Sequence, residues 1–173
     1  MENKIFSNTH QIIQGMKNLA NQLSHGSVSY DDEMKWMLAK AKDQAVKATL
    51  PKMTIHMLHI LECIDQSGPI NCAHISLTTT IPKGTVSKVA KKLIHLDLVT
   101  METLPNNKKE KLYKASPLGQ RLATVHRQLH DHFEAQMEAF VGKYSEAEQA
   151  VIARFLDDYL ATSKAPIEEQ IRT

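Results

Sequence analysis

Apolar residues recur at helical spacing along most of the chain, and polar or Gly/Pro clusters mark where each stripe stops. Ile12, Ile13, Met16, Leu19, Ala20 and Leu23 predict a first amphipathic helix within 5–23, ended by Ser24, His25, Gly26 and Ser27. Asp31 and Asp32 suit a helix start electrostatically and open a second stripe of Met34, Met37, Leu38, Ala41 and Ala45, which runs to Leu50 and Pro51. Thr54 is the expected cap of a third helix reaching residue 65, with Leu58, Leu61 and Ile64 turned to the core and His56, His59, Glu62 and Cys63 around its side. Ser116 and Pro117 supply cap and first residue for a long helix to residue 141, striped by Leu122, Val125, Leu129, Phe133 and Phe140. Ser145 and Glu148 then have capping-box spacing. The helix they open carries Val151, Ile152, Phe155, Leu156, Tyr159 and Leu160, a broad apolar face that needs a partner.

The segment 71–114 has a different rhythm. A short helix over 71–81 meets the polar turn Thr78, Thr79 and Thr80, and a second helix over 82–93 starts with Pro82 in the first position, where no amide hydrogen bond is lost. Val86, Val89, Ala90 and Leu93 face inward, which leaves Lys83, Thr85, Ser87, Lys88 and Lys91 outside. A tight turn followed by a helix that begins with small polar and cationic residues is what a helix-turn-helix offers to a major groove. Strands at 98–104 and 111–114 flank a tip at 105–110, where the adjacent Lys108 and Lys109 predict contacts to phosphates or the minor groove. The expected fold is mainly α with a small β-hairpin wing, a winged helix-turn-helix plus a helical dimerisation region. The candidate DNA contacts are Lys83, Gly84, Thr85, Ser87, Lys88, Asn107, Lys108 and Lys109. A two-fold dimer would set two reading helices about one DNA turn apart, so the expected partner is double-stranded DNA with a pseudo-palindromic operator.

Charge sharpens this division. Over the whole 173 residues the formal charge is only +2, but residues 83–114 hold eight Lys against three acids, while 115–173 hold six bases against nine acids. One part is built to meet a polyanion and the other is not. Two cysteines are too few for a disulfide framework, no apolar run reaches the roughly 20 residues that span a bilayer, and the start lacks a secretory pattern, so a cytoplasmic protein is expected. No Glu sits beside a His in a metalloprotease pattern, no Gly-rich phosphate loop occurs, and no nucleophile stands with a base at a recognisable spacing. An enzyme is not expected.

The order of helix, helix, basic hairpin and long C-terminal helix resembles the MarR family of bacterial transcriptional regulators over nearly the whole chain. Met53-Thr54, the exit from Leu93 to Val99 and Ala115-Ser116-Pro117-Leu118-Gly119 carry the resemblance. It implies N-terminal dimerisation helices in 1–50, a DNA-binding lobe in 53–115 and C-terminal dimerisation helices in 116–163. Two features depart from the family pattern. The wing commonly holds an Asp and an Arg where this chain has Asn107 and Lys109, and the N-terminus carries an extra helix.

Nine histidines are the least ordinary feature of the composition. His126 and His130, four residues apart, share one side of a helix within reach of a single ion, although a surface pair has the same spacing. Within the MarR family the chain is similar to the zinc-sensing AdcR and ZitR type, most strongly over 144–156, and that resemblance places the subgroup's three primary-site histidines on His59, His126 and His130. The subgroup's fourth ligand, a Glu, falls on Ala41; Asp43 is the nearest carboxylate, with water, Glu33 or His25 as other candidates. Its secondary site falls on Lys47, Leu58 and Val125, so a second ion is not expected. The resemblance implies zinc as a corepressor controlling metal-uptake genes. Two alternatives stay open: release from DNA by a small organic, phenolic effector with structural histidines, and redox sensing through Cys63 or Cys72.

Overall fold

A computed structural model describes residues 2–25, 30–104 and 107–163, with side chains described for 8–19, 30–103 and 110–162. The fold is mainly α with a small antiparallel sheet, as the hydrophobic pattern predicts.

Helix α1 spans Glu2–His25. The second stripe forms two helices instead of one, α2 (Tyr30–Lys40) and α3 (Gln44–Thr49). Asp43 causes the break: its backbone is extended, and its side chain accepts from the amides of Ala45 at 2.7 Å and Val46 at 3.3 Å, which starts a new helix rather than continuing the old one. A 3-10 turn over Leu50–Lys52 follows, and the Tyr30 hydroxyl donates to the carbonyl of Met53 at 2.6 Å, tying the start of α2 to that turn.

Helix α4 (Ile55–Ser67) is capped by Thr54, as expected, and ends at Gly68, whose φ of 71° suits a residue without Cβ. Its buried residues include Cys63, which the sequence pattern had placed on the side. A short strand β1 (Ile70–Asn71), not foreseen, precedes α5 (Cys72–Thr79), and Asn71 caps that helix by accepting from the His74 amide. The turn closes at Thr80 in the left-handed region, φ 57°, with the Ser76 hydroxyl donating to the Ile81 carbonyl at 2.7 Å. Helix α6 spans Lys83–His95, with Pro82 as its cap rather than its first residue.

Strands β2 (Val99–Leu104) and β3 (Asn107–Ala115) form the wing, and the sheet order is β1-β3-β2. Strand β3 begins four residues before the expected Lys111, because pairing such as Glu102↔Leu112 and Thr103↔Lys111 continues past a register shift to Leu104↔Asn107. Cross-strand hydrogen bonding there overrides the weak strand preference of Lys and Asn. The chain leaves the wing into α7 (Pro117–Val141) through Ser116, whose hydroxyl donates to the Asp97 carbonyl and accepts from the Gly119 amide. Gly119 is required by contact: a Cβ there would run into the carbonyl oxygen of Leu98.

The chain divides into two compact units, Met1–Leu129 and His130–Thr173, with the divide inside the continuous helix α7. In the first, Leu58, Leu61, Ile64, Ile75, Leu93, Leu98 and Leu122 are fully buried. In the second, Ser145 and Glu148 form the expected capping box at the start of α8 (Glu146–Ser163). The α8 residues Val151, Ile152, Phe155, Leu156, Tyr159 and Leu160 are exposed. Among the described residues, no helix is long and apolar enough to cross a membrane.

Candidate functional site

Helix α6 is held by the burial of Val86, Val89, Ala90 and Leu93, the positions its spacing predicts. That burial leaves Lys83, Gly84 and Lys88 exposed and Thr85 and Ser87 half-buried. Beside its first turn a cleft of about 310 Å³ is lined by Asn71, Cys72, Ala73, Lys83, Ser87, Glu110, Lys111 and Tyr113, so the start of α6, the start of α5 and strand β3 meet at one cleft. Asn71 joins two of these elements, capping α5 and donating from Nδ2 to Glu110 Oε1 at 2.6 Å. Asn107, Lys108 and Lys109 fall on β3, but their side chains lie outside the described residues.

The histidines come together. His59 on α4 and His126 and His130 on α7 each offer a ligand atom, and these atoms all lie within 4.8 Å of one another. His130 is placed by the helix it shares with His126, one turn further on. The rings of His59 and His126 are 5.4 Å apart between centroids and inclined at 46°. His59 is half-buried and His130 exposed, whereas His126, at 2% exposure, is the one buried polar or charged residue among those described. Glu62 Oε2 lies 2.6 Å from its Nδ1, and the neighbouring Arg127 donates from Nη1 to Asp65 Oδ2 at 2.7 Å.

The structure does not bring Asp43 to this group. Its carboxylate caps α3 and pairs with Arg121 Nε at 2.6 Å. The Ala45 amide, then the Val46 amide and the Arg121 guanidinium, hold the Asp43 carboxyl below the usual carboxylate range. Ala41, Leu58 and Val125 are buried, and Lys47 is half-buried. His132 makes a separate contact with Gln136. Glu62 and Asp65 are the residues that sequence reasoning passed over. Their signal was available as a three-residue step, His59, Glu62, Asp65, along one face of α4.

Of the two cysteines, Cys63 is buried, and burial pushes its thiol up, away from the reactive thiolate. The Cys72 thiol donates to the Tyr113 hydroxyl at 3.6 Å, and burial together with that contact pushes the Tyr113 hydroxyl up to about 12.

Three comparisons bear on this arrangement. The model of the MarR family matches residues 53–111. The HTH-type transcriptional regulator PchR of Bacillus subtilis (strain 168) is 32% identical over 118 residues, which cover 68% of this chain and 69% of PchR. Among solved structures, the zinc-responsive MarR family member ZitR of Lactococcus lactis superposes with a TM-score of 0.69 at 18% identity, covering 90% of this chain and 99% of ZitR. Wild-type ZitR in complex with DNA gives a TM-score of 0.66 at 20% identity, covering 90% and 97%. At these identities the two structural likenesses are likenesses of fold.

Proposed function

The chain belongs to the MarR family of DNA-binding transcriptional regulators, and from that premise we propose that it is a homodimeric repressor that uses zinc as corepressor. The observation that carries the proposal is the convergence of His59, His126 and His130. The donor set fits the ion: three imidazoles offer the nitrogens that zinc accepts in tetrahedral sites, and one position remains for water or a further donor. The zinc-responsive character of ZitR and its complex with DNA support the same reading.

Bound there, zinc would supply a cross-link between imidazoles of α4 and α7. The chain's own residues do the rest. His59 lies on the helix that packs behind α5 and α6 in the segment proposed as the DNA-binding lobe, 53–115, while His126 and His130 lie on α7, in the segment 116–163 proposed for dimerisation. Fixing α4 against α7 sets the angle at which each α6 meets DNA, so metal and operator binding favour one another by linkage. Lys83, Lys88, Lys108 and Lys109 contribute charge toward phosphates, and Thr85 and Ser87 meet base edges across a pseudo-palindromic operator. Genes for metal uptake are the natural targets of a repressor loaded by zinc.

Metal analysis of the purified dimer decides the ligand set. About one zinc per protomer, lost in the His126→Ala/His130→Ala variant, is expected; full zinc content in that variant contradicts the assignment.

A second reading, a small organic, phenolic effector, is favoured by a cavity of about 280 Å³ lined by Val46, Val125, Thr124 and Gln128 together with Lys40, Lys42 and the paired Asp43 and Arg121. Under that reading DNA affinity is indifferent to zinc and falls on addition of a small phenolic compound.

A further inference from the structure

The carboxylate of Glu62 lies against the imidazole of His126, Oε2 to Nδ1 at 2.6 Å, with the two side chains 16% and 3% exposed. Its other oxygen, Oε1, accepts from Gln66 Nε2 at 3.0 Å, so the carboxylate is held at both ends. Glu62 is three residues from His59 on the same face of α4, and three further on Asp65 accepts from Arg127. Helix α4 therefore presents a carboxylate to each of two consecutive residues of α7. Glu62 itself is outside the group of three histidines whose ligand atoms converge.

An acceptor at Nδ1 selects one tautomer of a neutral imidazole. The proton resides on Nδ1 and is donated to the carboxylate, which puts the lone pair on Nε2. For a buried ring this matters, because rotation about its Cβ–Cγ bond would otherwise exchange which nitrogen faces His59 and His130. We propose that Glu62 is a positioning residue of the metal site: by accepting the Nδ1–H of His126 it fixes the tautomer and the ring plane, and makes Nε2 the atom that His126 offers beside His59 and His130. This rests on the zinc reading above and extends it. Removing such an outer partner of a ligating histidine weakens metal affinity by about 10- to 100-fold. The arrangement also places ligand and orienting carboxylate on one helix, so that α4 both contributes His59 to the ion and aims its partner from α7.

The test uses the full-length protein and its Glu62→Ala and Glu62→Gln variants. Long-range ¹⁵N–¹H spectra of the metal-free wild type read the His126 tautomer directly, and zinc affinity is read by competition with a chromophoric chelator. The expected results are Nδ1–H on His126 in the wild type, a mixed or reversed tautomer in Glu62→Ala, and a zinc dissociation constant about 10- to 100-fold higher in that variant. Glu62→Gln, whose amide oxygen still accepts from Nδ1, recovers most of the affinity. If Glu62→Ala does not fold, the wild-type tautomer and the Gln variant decide. Nε2–H on neutral His126 in the wild type, or zinc affinity in folded Glu62→Ala within about twofold of wild type, overturns the inference alone. Wild-type protein that takes up no zinc overturns the metal reading, and the inference with it.

Discussion

Asp43 Oδ2 and Arg121 Nε meet at 2.6 Å, joining the cap of α3 to the first turns of α7, while Asp43 Oδ1 accepts from two backbone amides. The carboxylate nearest in sequence to Ala41, the position that the family resemblance gives to a fourth ligand, is thus committed to local structure. Because the Ala45 and Val46 amides and Arg121 lower its ionisation below the ordinary range, the contribution of Asp43 is fully present above an unfolded value of about 4 and is lost as pH falls through its lower folded value. Asp43→Asn, which keeps a capping side chain but no charge, is expected to flatten the acid limb of the stability curve. Urea midpoints at a series of pH values measure it; an acid limb identical to wild type would contradict the assigned role.

The reading helix and two helix starts outside the helix-turn-helix were legible because their signals are local. The Val86, Val89, Ala90, Leu93 stripe, the Thr54 cap and the Ser145–Glu148 box each depend on residues within a turn or two. Strand β1 was not, since Ile70 and Asn71 become a strand only by pairing with Tyr113 and Leu112, some 40 residues away. The same limit separated the two halves of the site. The His126–His130 spacing could be read from the chain, whereas the approach of Glu62 to His126 spans 64 positions and follows from packing. The break at Asp43 had a local signal, an Asp within an otherwise helical stripe, that helical periodicity outweighed in the reading.

The α6 surface separates two kinds of DNA contact. Lys88→Ala or Lys83→Ala is expected to weaken binding to operator and random DNA alike and to lower the salt slope by about one unit each. Thr85→Ala or Ser87→Ala is expected to change which base is preferred at one operator position, at a cost of about 1–3 kcal/mol on the native site. Anisotropy titrations at several salt concentrations, on operator and scrambled duplexes, distinguish the two classes. Identical losses on both duplexes for all four variants would refute the division.

The exposed stripe of α8 predicts the assembly. Val151, Ile152, Phe155, Leu156, Tyr159 and Leu160 are each at least 40% exposed in the single chain, more apolar surface than scattered surface residues account for. Burial against a second copy is the expected remedy, so Phe155→Glu should shift the protein from dimer to monomer in sedimentation velocity and abolish operator binding at concentrations where wild type is dimeric. A wild-type monomer at micromolar concentration, or a Phe155→Glu dimer as tight as wild type, would stand against this interface.

Metal held by His59, His126 and His130, whose ligand atoms converge, is expected to control DNA affinity. The most direct test is fluorescence anisotropy of a labelled duplex from the gene's own upstream region, titrated with protein first in chelator and then in buffered free zinc. Coupling between sites is typically 5- to 150-fold in affinity. Binding tightened by a factor in that range on adding zinc, and unchanged by zinc in His126→Ala/His130→Ala, is the predicted result. Equal affinity in chelator and in zinc would contradict the account and leave a MarR-family DNA binder whose histidines serve structure alone.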